Sequence, residues 1–347
     1  MPPPPHRILI IRLSAIGDII MASGLIPALR SLYPEAHIAW LAEDVQAELL
    51  RHNPRLDRVH LLPRRHWRSL RKSGDHLALI SEIRGFVRSL RDEHFDLVID
   101  LQGLIKSGIW SWLSGARRRI GLGSREGSQW LMTEVIPREM NDPRISKEYR
   151  DLAVRLGATE ASFMMDIVVP DEARQRATRL LREAGLRDNY AVLAPFTTRP
   201  QKHWFDDRWA ELARGISPHI RPVMLGGPGD REHAARISKM ADGAFLNLVG
   251  ETSLTECAAI IDEAQLLVGV DTGLTHLGLA MNTPTLALFG STAPYLDTTR
   301  QNSRVLYFPR ECSPCHRHPS CGGKFFCMRE HTVDSVLASI FQIIPES

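Results

Sequence analysis

The stretch LLVGVDTGLTHLGLAMNTPTLALF, residues 266–289, decides how the rest of the chain is read. It opens on an apolar run, Leu266–Val270, that stops at Asp271, Thr272 and Gly273. A helix-like segment, 274–281, follows; Asn282, Thr283 and Pro284 end it, and Thr285–Phe289 is apolar again. Strand, helix and strand in that order make one βαβ unit. The turn after the first strand is where such a unit does chemistry, because unpaired N–H groups and the positive end of the helix dipole point out of the sheet there. Gly273 lets backbone approach a phosphate, Thr272 and Thr275 offer hydroxyls, and His276 lies one helical turn on. A pyrophosphate suits this turn. So does a plainer reading, in which Asp271 or Thr272 caps the helix and His276 is a surface histidine.

At 347 residues the chain is long for one core and natural for two domains. Its composition is that of a globular protein with enough apolar residues for two interiors. The formal charge of +3 is unevenly spread: Arg64, Arg65, Arg68, Arg71 and Lys72 form one basic cluster, and Arg117, Arg118 and Arg119 another. Such clusters suit an anionic partner or a solvated face. No apolar run reaches the length of a membrane span, and Arg12 and Asp18 interrupt the one candidate for a signal segment, so a cytoplasmic protein is expected.

Outward from the opening stretch, the same alternation recurs. Residues 6–13 read as a fully buried parallel strand, 14–18 as a turn, and 19–33 as a helix closed by Pro34. Further strands are predicted at 37–42, 59–62, 95–100 and 119–122, with a basic loop after the third and helices at 45–51 and 77–93. A helix over 142–156 leads to a linker within 157–170. A second series follows: helix 171–184, strand Tyr190–Ala194, helix 207–214, strand 222–225, helix 230–240, strand 244–248 and helix Leu254–Asp262. The expected fold is α/β: two Rossmann-like parallel-sheet domains facing a central cleft, 1–165 and 171–330, with a last helix within 331–347 packing back on the first domain. Ligands of such sheets lie at the carboxyl ends of the strands.

Four strand-end turns should therefore converge: 14–18, 195–202, 226–232 and 271–276. Thr197, Thr198 and Lys202 supply two hydroxyls and an ammonium suited to phosphate oxygens. Gly226 and Gly227 let the chain pass close to a base or sugar, and Asp230 or Glu232 could accept from ribose hydroxyls. Asp18 sits at a helix start, where a carboxylate serves equally as cap or as ionised base.

Taken together, RLSAIGDII, DLQGLIKSG, TTRPQKHW, LGGPGDRE and VDTGLTHL, in this order, resemble glycosyltransferase family 9, the lipopolysaccharide heptosyltransferases, and within it the heptosyltransferase I group more than II. The resemblance implies a GT-B fold, inversion at the sugar, an ADP-heptose donor, a Kdo-lipid A acceptor, no catalytic cofactor or metal, and no nucleic-acid partner. It also implies a monomer in transient contact with the inner face of the inner membrane. By position, Asp18 would be the general base. Thr197, Thr198 and Lys202 would hold the donor diphosphate with Thr272, Gly273 and His276, Lys202 also steadying the leaving phosphate. Asp271 would contact the sugar, and Glu232 the ribose. Ser14, Gly17, Arg64, Arg65, Arg68 and Arg125 would meet the acceptor. Two other readings stay open: a family 9 transferase with another donor or a later acceptor, and a non-catalytic nucleotide or nucleic-acid binding protein.

Cys312, Cys315, Cys321 and Cys327 are spaced C-x2-C-x5-C-x5-C. A structural metal, with His316 or His318 as further ligands, is one reading of that segment. Reduced thiols and a redox disulfide are the others.

Overall fold

A computed structural model describes residues 3–139, 142–186, 189–315 and 318–343. The chain divides into two compact units, Met1–Asp142 with Ser146–Val168, and Pro143–Ile145 with Val169–Ser347.

The first unit is built on β1 (Arg7–Ile11), β2 (His37–Glu43), β3 (Arg58–Leu62), β4 (Leu97–Asp100), β5 (Arg118–Leu122) and β6 (Glu134–Ile136), in the order β3-β2-β1-β4-β5-β6. Every pairing is parallel. Helices cover both faces, so a central strand must be apolar throughout. Ile8, Leu9, Ile10 and Ile11 are accordingly fully buried, alternating between a cluster with Trp40 and Ile99 and one with Leu41 and Val98.

The second unit repeats the plan with β7 (Tyr190–Ala194), β8 (Arg221–Met224), β9 (Leu246–Asn247), β10 (Leu266–Val270), β11 (Thr285–Phe289) and β12 (Ser303–Tyr307). Its order is β12-β11-β10-β7-β8-β9, again with every pairing parallel. The opening stretch is a βαβ unit as read: β10 and β11 pair from Leu267 against Thr285, joined by the helix Gly273–Met281.

Three expectations need correction. The helix predicted over 19–33 is two, Ile16–Ala22 and Leu25–Leu32. The Phe163 ring lies where a side chain at Gly24 would stand, and Ser23 Oγ accepts from Asp166 N at 2.8 Å, so tertiary packing breaks the periodicity there. The basic segment is a helix, Arg64–Ser73, ended by Gly74 in the left-handed region at φ 79°. Trp67 anchors it, with its ring centroid 5.6 Å from those of Phe86 and Trp110. The strand expected at 244–248 shortens to Leu246–Asn247. The last helix, Val333–Ile343, buries Val333, Val336 and Ile340 in the core of the second unit. Among the described residues no helix is long and apolar enough to cross a membrane.

One buried charge cluster ties the edge of the first sheet together. Glu93, 6% exposed, pairs with Arg7, with Arg58 at 2.5 Å and with His37 at 3.4 Å. Burial pushes its carboxyl up, but Arg58, Arg7 and the two histidines outweigh that and leave it lowered. A depressed folded-state value means that the stabilisation is present above the ordinary carboxylate range and lost as pH falls through the folded value. Glu93→Gln should therefore destabilise the first unit by about 2 kcal/mol at pH 7, and the difference from wild type should shrink toward pH 3. Thermal melts showing the same difference at both pH values would contradict this.

Candidate active site

Three of the four expected turns belong to the second unit, where β10, β7 and β8 are neighbours. Because all run parallel, the turns at 271–276, 195–202 and 226–232 leave the sheet on one edge. The helix Gly273–Met281 presents its N-terminus there, and its N-cap residue, Thr272, makes no side-chain capping bond. The plain capping reading of this turn is therefore not what the side chains do.

Asp271 is instead the centre of a buried polar cluster. Its Oδ2 lies 2.5 Å from Lys202 Nζ and accepts from Thr292 Oγ1 at 2.6 Å; its Oδ1 lies 3.5 Å from His276 Nε2. Burial alone would push the Asp271 carboxyl up. The bond from His276 and the Lys202 ammonium outweigh it and hold the group well below the usual carboxylate range. Tyr295 completes the cluster, its hydroxyl 2.9 Å from His276 Nδ1. Burial, and then the Asp271 charge, keep that phenol protonated. Lys202 ends the short 3-10 turn Pro200–Lys202 after β7, and Thr197 Oγ1 reaches the backbone oxygen of Asp271 at 3.4 Å. Asp271, Lys202, His276, Thr197, Thr272 and Gly273 are thus brought together, while Thr198 is exposed on the same loop.

Other residues sort differently. Thr275 offers no free hydroxyl: it is fully buried and donates to Val270 O at 2.6 Å. Gly226 is a glycine because the Phe196 ring sits where a side chain would begin. Asp230 Oδ2 accepts from Gly227 N at 2.9 Å and so closes its own turn, whereas Glu232 is exposed in the first turn of the helix Arg231–Ala241. Among the described residues no group of three or more His, Cys, Asp or Glu is arranged to hold a metal ion. The five cysteines are free thiols, and Cys315 and Cys327 are raised by burial and by their neighbouring cysteines. The metal reading of that segment therefore finds no ligand set here; His316 lies outside the described residues.

In the first unit, Asp18 stands at the third position of the helix Ile16–Ala22, just past β1. Its Oδ2 accepts from Ala15 N at 3.1 Å and from the buried Arg12, whose Nη2 is 2.5 Å away. Arg12 also donates to Leu101 O at 2.9 Å, at the end of β4. Asp18 keeps about a third of its side chain exposed, at 36%, so it is a cap that still meets solvent. Ser14 and Gly17 flank it, half-buried. Arg125, exposed, lies on the turn after β5 and its N–H donates to Gly103 O at 2.9 Å. Arg64 starts the basic helix and pairs with Glu43 at the end of β2 at 2.6 Å. Arg64 and Arg68 line a groove with Trp67, Arg71, Leu79 and Ile83, while Arg65 is exposed.

Sequence reading missed Arg12, Thr292 and Tyr295. Arg12 had a signal, since an arginine closing a buried apolar strand needs a carboxylate partner. Thr292 and Tyr295 had none, lying in an irregular stretch after β11.

With the geometry in hand, likeness to known proteins can be weighed. A sequence profile described as glycosyltransferase family 9 (heptosyltransferase) matches residues 83–325. Lipopolysaccharide heptosyltransferase 1 of Escherichia coli (strain K12) is 27% identical over 321 residues, 88% of this chain and 94% of the relative. The crystal structure of the glycosyl transferase family 9 from Veillonella parvula DSM 2008 superposes with a TM-score of 0.81 at 21% identity, covering 99% of this chain and 98% of that one. E. coli heptosyltransferase WaaC with ADP-2-deoxy-2-fluoro heptose gives 0.72 at 26% identity, covering 97% and 99%. Two parallel six-stranded sheets in one chain match the GT-B fold of these structures, and with the profile spanning well over half its length the chain belongs to glycosyltransferase family 9, the heptosyltransferases.

Proposed function

We propose that this protein transfers L-glycero-D-manno-heptose from ADP-heptose to the Kdo-lipid A inner core of lipopolysaccharide, with inversion at the anomeric carbon. The observation that carries the reading is the Asp271–Lys202–His276 cluster beside a helix N-terminus. Displacing a nucleoside diphosphate builds negative charge on the leaving phosphate. A lysine ammonium, the N–H groups of Thr272 and Gly273 and the hydroxyl of Thr197 can stabilise that charge as it forms, and Thr198 extends the same donor set. A cation and a helix N-terminus then supply what a divalent metal supplies elsewhere.

Lys202 is shared in this scheme. Asp271, held ionised, fixes the ammonium and turns its remaining acceptor capacity toward the hydroxyls of the donor sugar. Glu232, exposed near the glycine turn, accepts from the ribose. Asp18 takes the proton of the acceptor hydroxyl as that oxygen attacks the anomeric carbon. Arg12 keeps the carboxylate oriented and ionised until the proton arrives. Arg64, Arg65, Arg68 and Arg125, with Ser14 and Gly17, bind the carboxylates and phosphates of the acceptor. The relative of known activity is a lipopolysaccharide heptosyltransferase, and a related structure carries an ADP-heptose analogue. Both support the assignment of donor and acceptor.

Incubating the purified protein with ADP-heptose and Kdo-lipid A should release ADP; release only with another acceptor would leave the family in place and overturn the acceptor. Asp18→Asn, which keeps the size of the side chain beside Arg12, should lower kcat by about 10³-fold while donor affinity stays within about twofold. Unchanged turnover would remove Asp18 from the role of base. Tyr295→Phe leaves His276 Nδ1 without its hydroxyl partner, and should lower kcat/KM by about tenfold. A wild-type kcat/KM in that variant would reduce Tyr295 to packing.

A further inference from the structure

The segment between the four cysteines and the last helix has no part in the transfer scheme, yet it touches both loops that meet at Asp271. His331 is its centre and is fully buried. Its Nε2 lies 2.9 Å from Phe289 O, and a carbonyl can only accept, so the imidazole proton is on Nε2. Nδ1 is buried without a partner among the described residues, and burial pushes the imidazole down to about 4, so the ring is neutral. The His331 backbone oxygen accepts from Trp204 Nε1 at 2.9 Å and from Arg208 Nη1 at 2.5 Å. Arg208 also donates to Arg329 O at 2.6 Å.

Each of these contacts leads to the donor cluster. Trp204 is two residues past Lys202, and Arg208 stands in the first turn of the helix Asp206–Ile216. Phe289 ends β11, and its ring centroid lies 5.1 Å from that of Tyr295, which reaches His276. Gly290 has no room for a side chain because Met328 and Cys327 occupy the space. The chain before His331 is thus pressed against the start of the loop that carries Thr292. That loop and the 197–202 loop meet on a single atom: Lys202 Nζ and Thr292 Oγ1 lie 2.5 and 2.6 Å from Asp271 Oδ2. Two donors from different loops share one oxygen only if the loops keep their spacing, since a shift of about 1 Å takes a hydrogen bond out of range.

We propose that His331 is a positioning residue of the donor site. Its side chain holds the end of β11 and its backbone oxygen holds the chain after Lys202, so that Lys202 and Thr292 reach the same carboxylate oxygen. His331 has this role only if the Asp271 cluster binds the donor diphosphate.

ADP titration and steady-state kinetics of variants test it. His331→Leu should bind ADP about tenfold more weakly, with the acceptor KM within about twofold of wild type. His331→Gln, which keeps an N–H of similar reach for Phe289 O, should stay within about threefold. Thr292→Val should also weaken ADP by about tenfold. The His331→Leu/Thr292→Val double variant should be no weaker than either single one, because the His331 side chain acts through the loop that carries Thr292. A residue that only stabilises the fold would give additive losses of about 100-fold and no rescue by glutamine. Arg208→Met, at a half-buried side chain, should weaken ADP by about threefold and carries the test if His331→Leu does not fold. Wild-type affinity in His331→Leu, or in Arg208→Met in its place, would overturn the proposal, as would additive losses or a glutamine variant as weak as leucine. Lys202→Ala separates the two levels. If it binds ADP as the wild-type chain does, the donor reading falls and this role with it; if it alone is weakened, only the role of His331 falls.

Discussion

Parallel strands impose one constraint from which most of this molecule follows. Each strand must be joined to the next by a crossover, and when the crossovers are helices every strand carboxyl end and every following helix N-terminus falls on the same edge of the sheet. In the second unit that edge carries 271–276, 195–202 and 226–232 on adjacent strands. In the first it carries Asp18, Arg125 and Arg64. Residues far apart in the chain become neighbours because the hydrogen-bonding pattern leaves them nowhere else to go.

On that edge, electrostatics does the rest. A buried carboxylate is costly unless it is paired, and Asp271 is met by Lys202, His276 and Thr292. Burial and pairing act in opposite directions on its protonation, and pairing wins. The cluster therefore holds an ionised carboxylate, an ordered ammonium and a histidine tied to Asp271 and Tyr295 beside a helix N-terminus, before any ligand arrives. Such preorganisation is what stabilising a leaving diphosphate requires, since little need move as charge develops.

The sheets were largely legible in the sequence because fully buried strands write themselves as short apolar runs. β7, β10 and β11 start and end where those runs do. Helix periodicity was less faithful where distant side chains intervene: Phe163 splits 19–33 at Gly24, and Trp67 with Gly74 makes a helix of a segment that reads as a charged loop. The residues that gather on the edge of the second sheet were readable from their types and their place after strands. Thr275 was misjudged because a hydroxyl in a pattern does not say which carbonyl it satisfies. Tyr295 was invisible because nothing in an irregular loop announces which histidine it will reach. Asp18 is a cap by geometry, ion-paired to Arg12 and still in touch with solvent.

The central claim is that the Lys202–Asp271–His276 cluster is where the donor diphosphate binds. Isothermal titration of ADP into the wild-type chain and into Lys202→Ala tests it most directly. ADP should bind the wild-type chain and bind Lys202→Ala at least about tenfold more weakly, as loss of a charge-assisted contact demands. Equal affinities would place the diphosphate elsewhere and contradict the account.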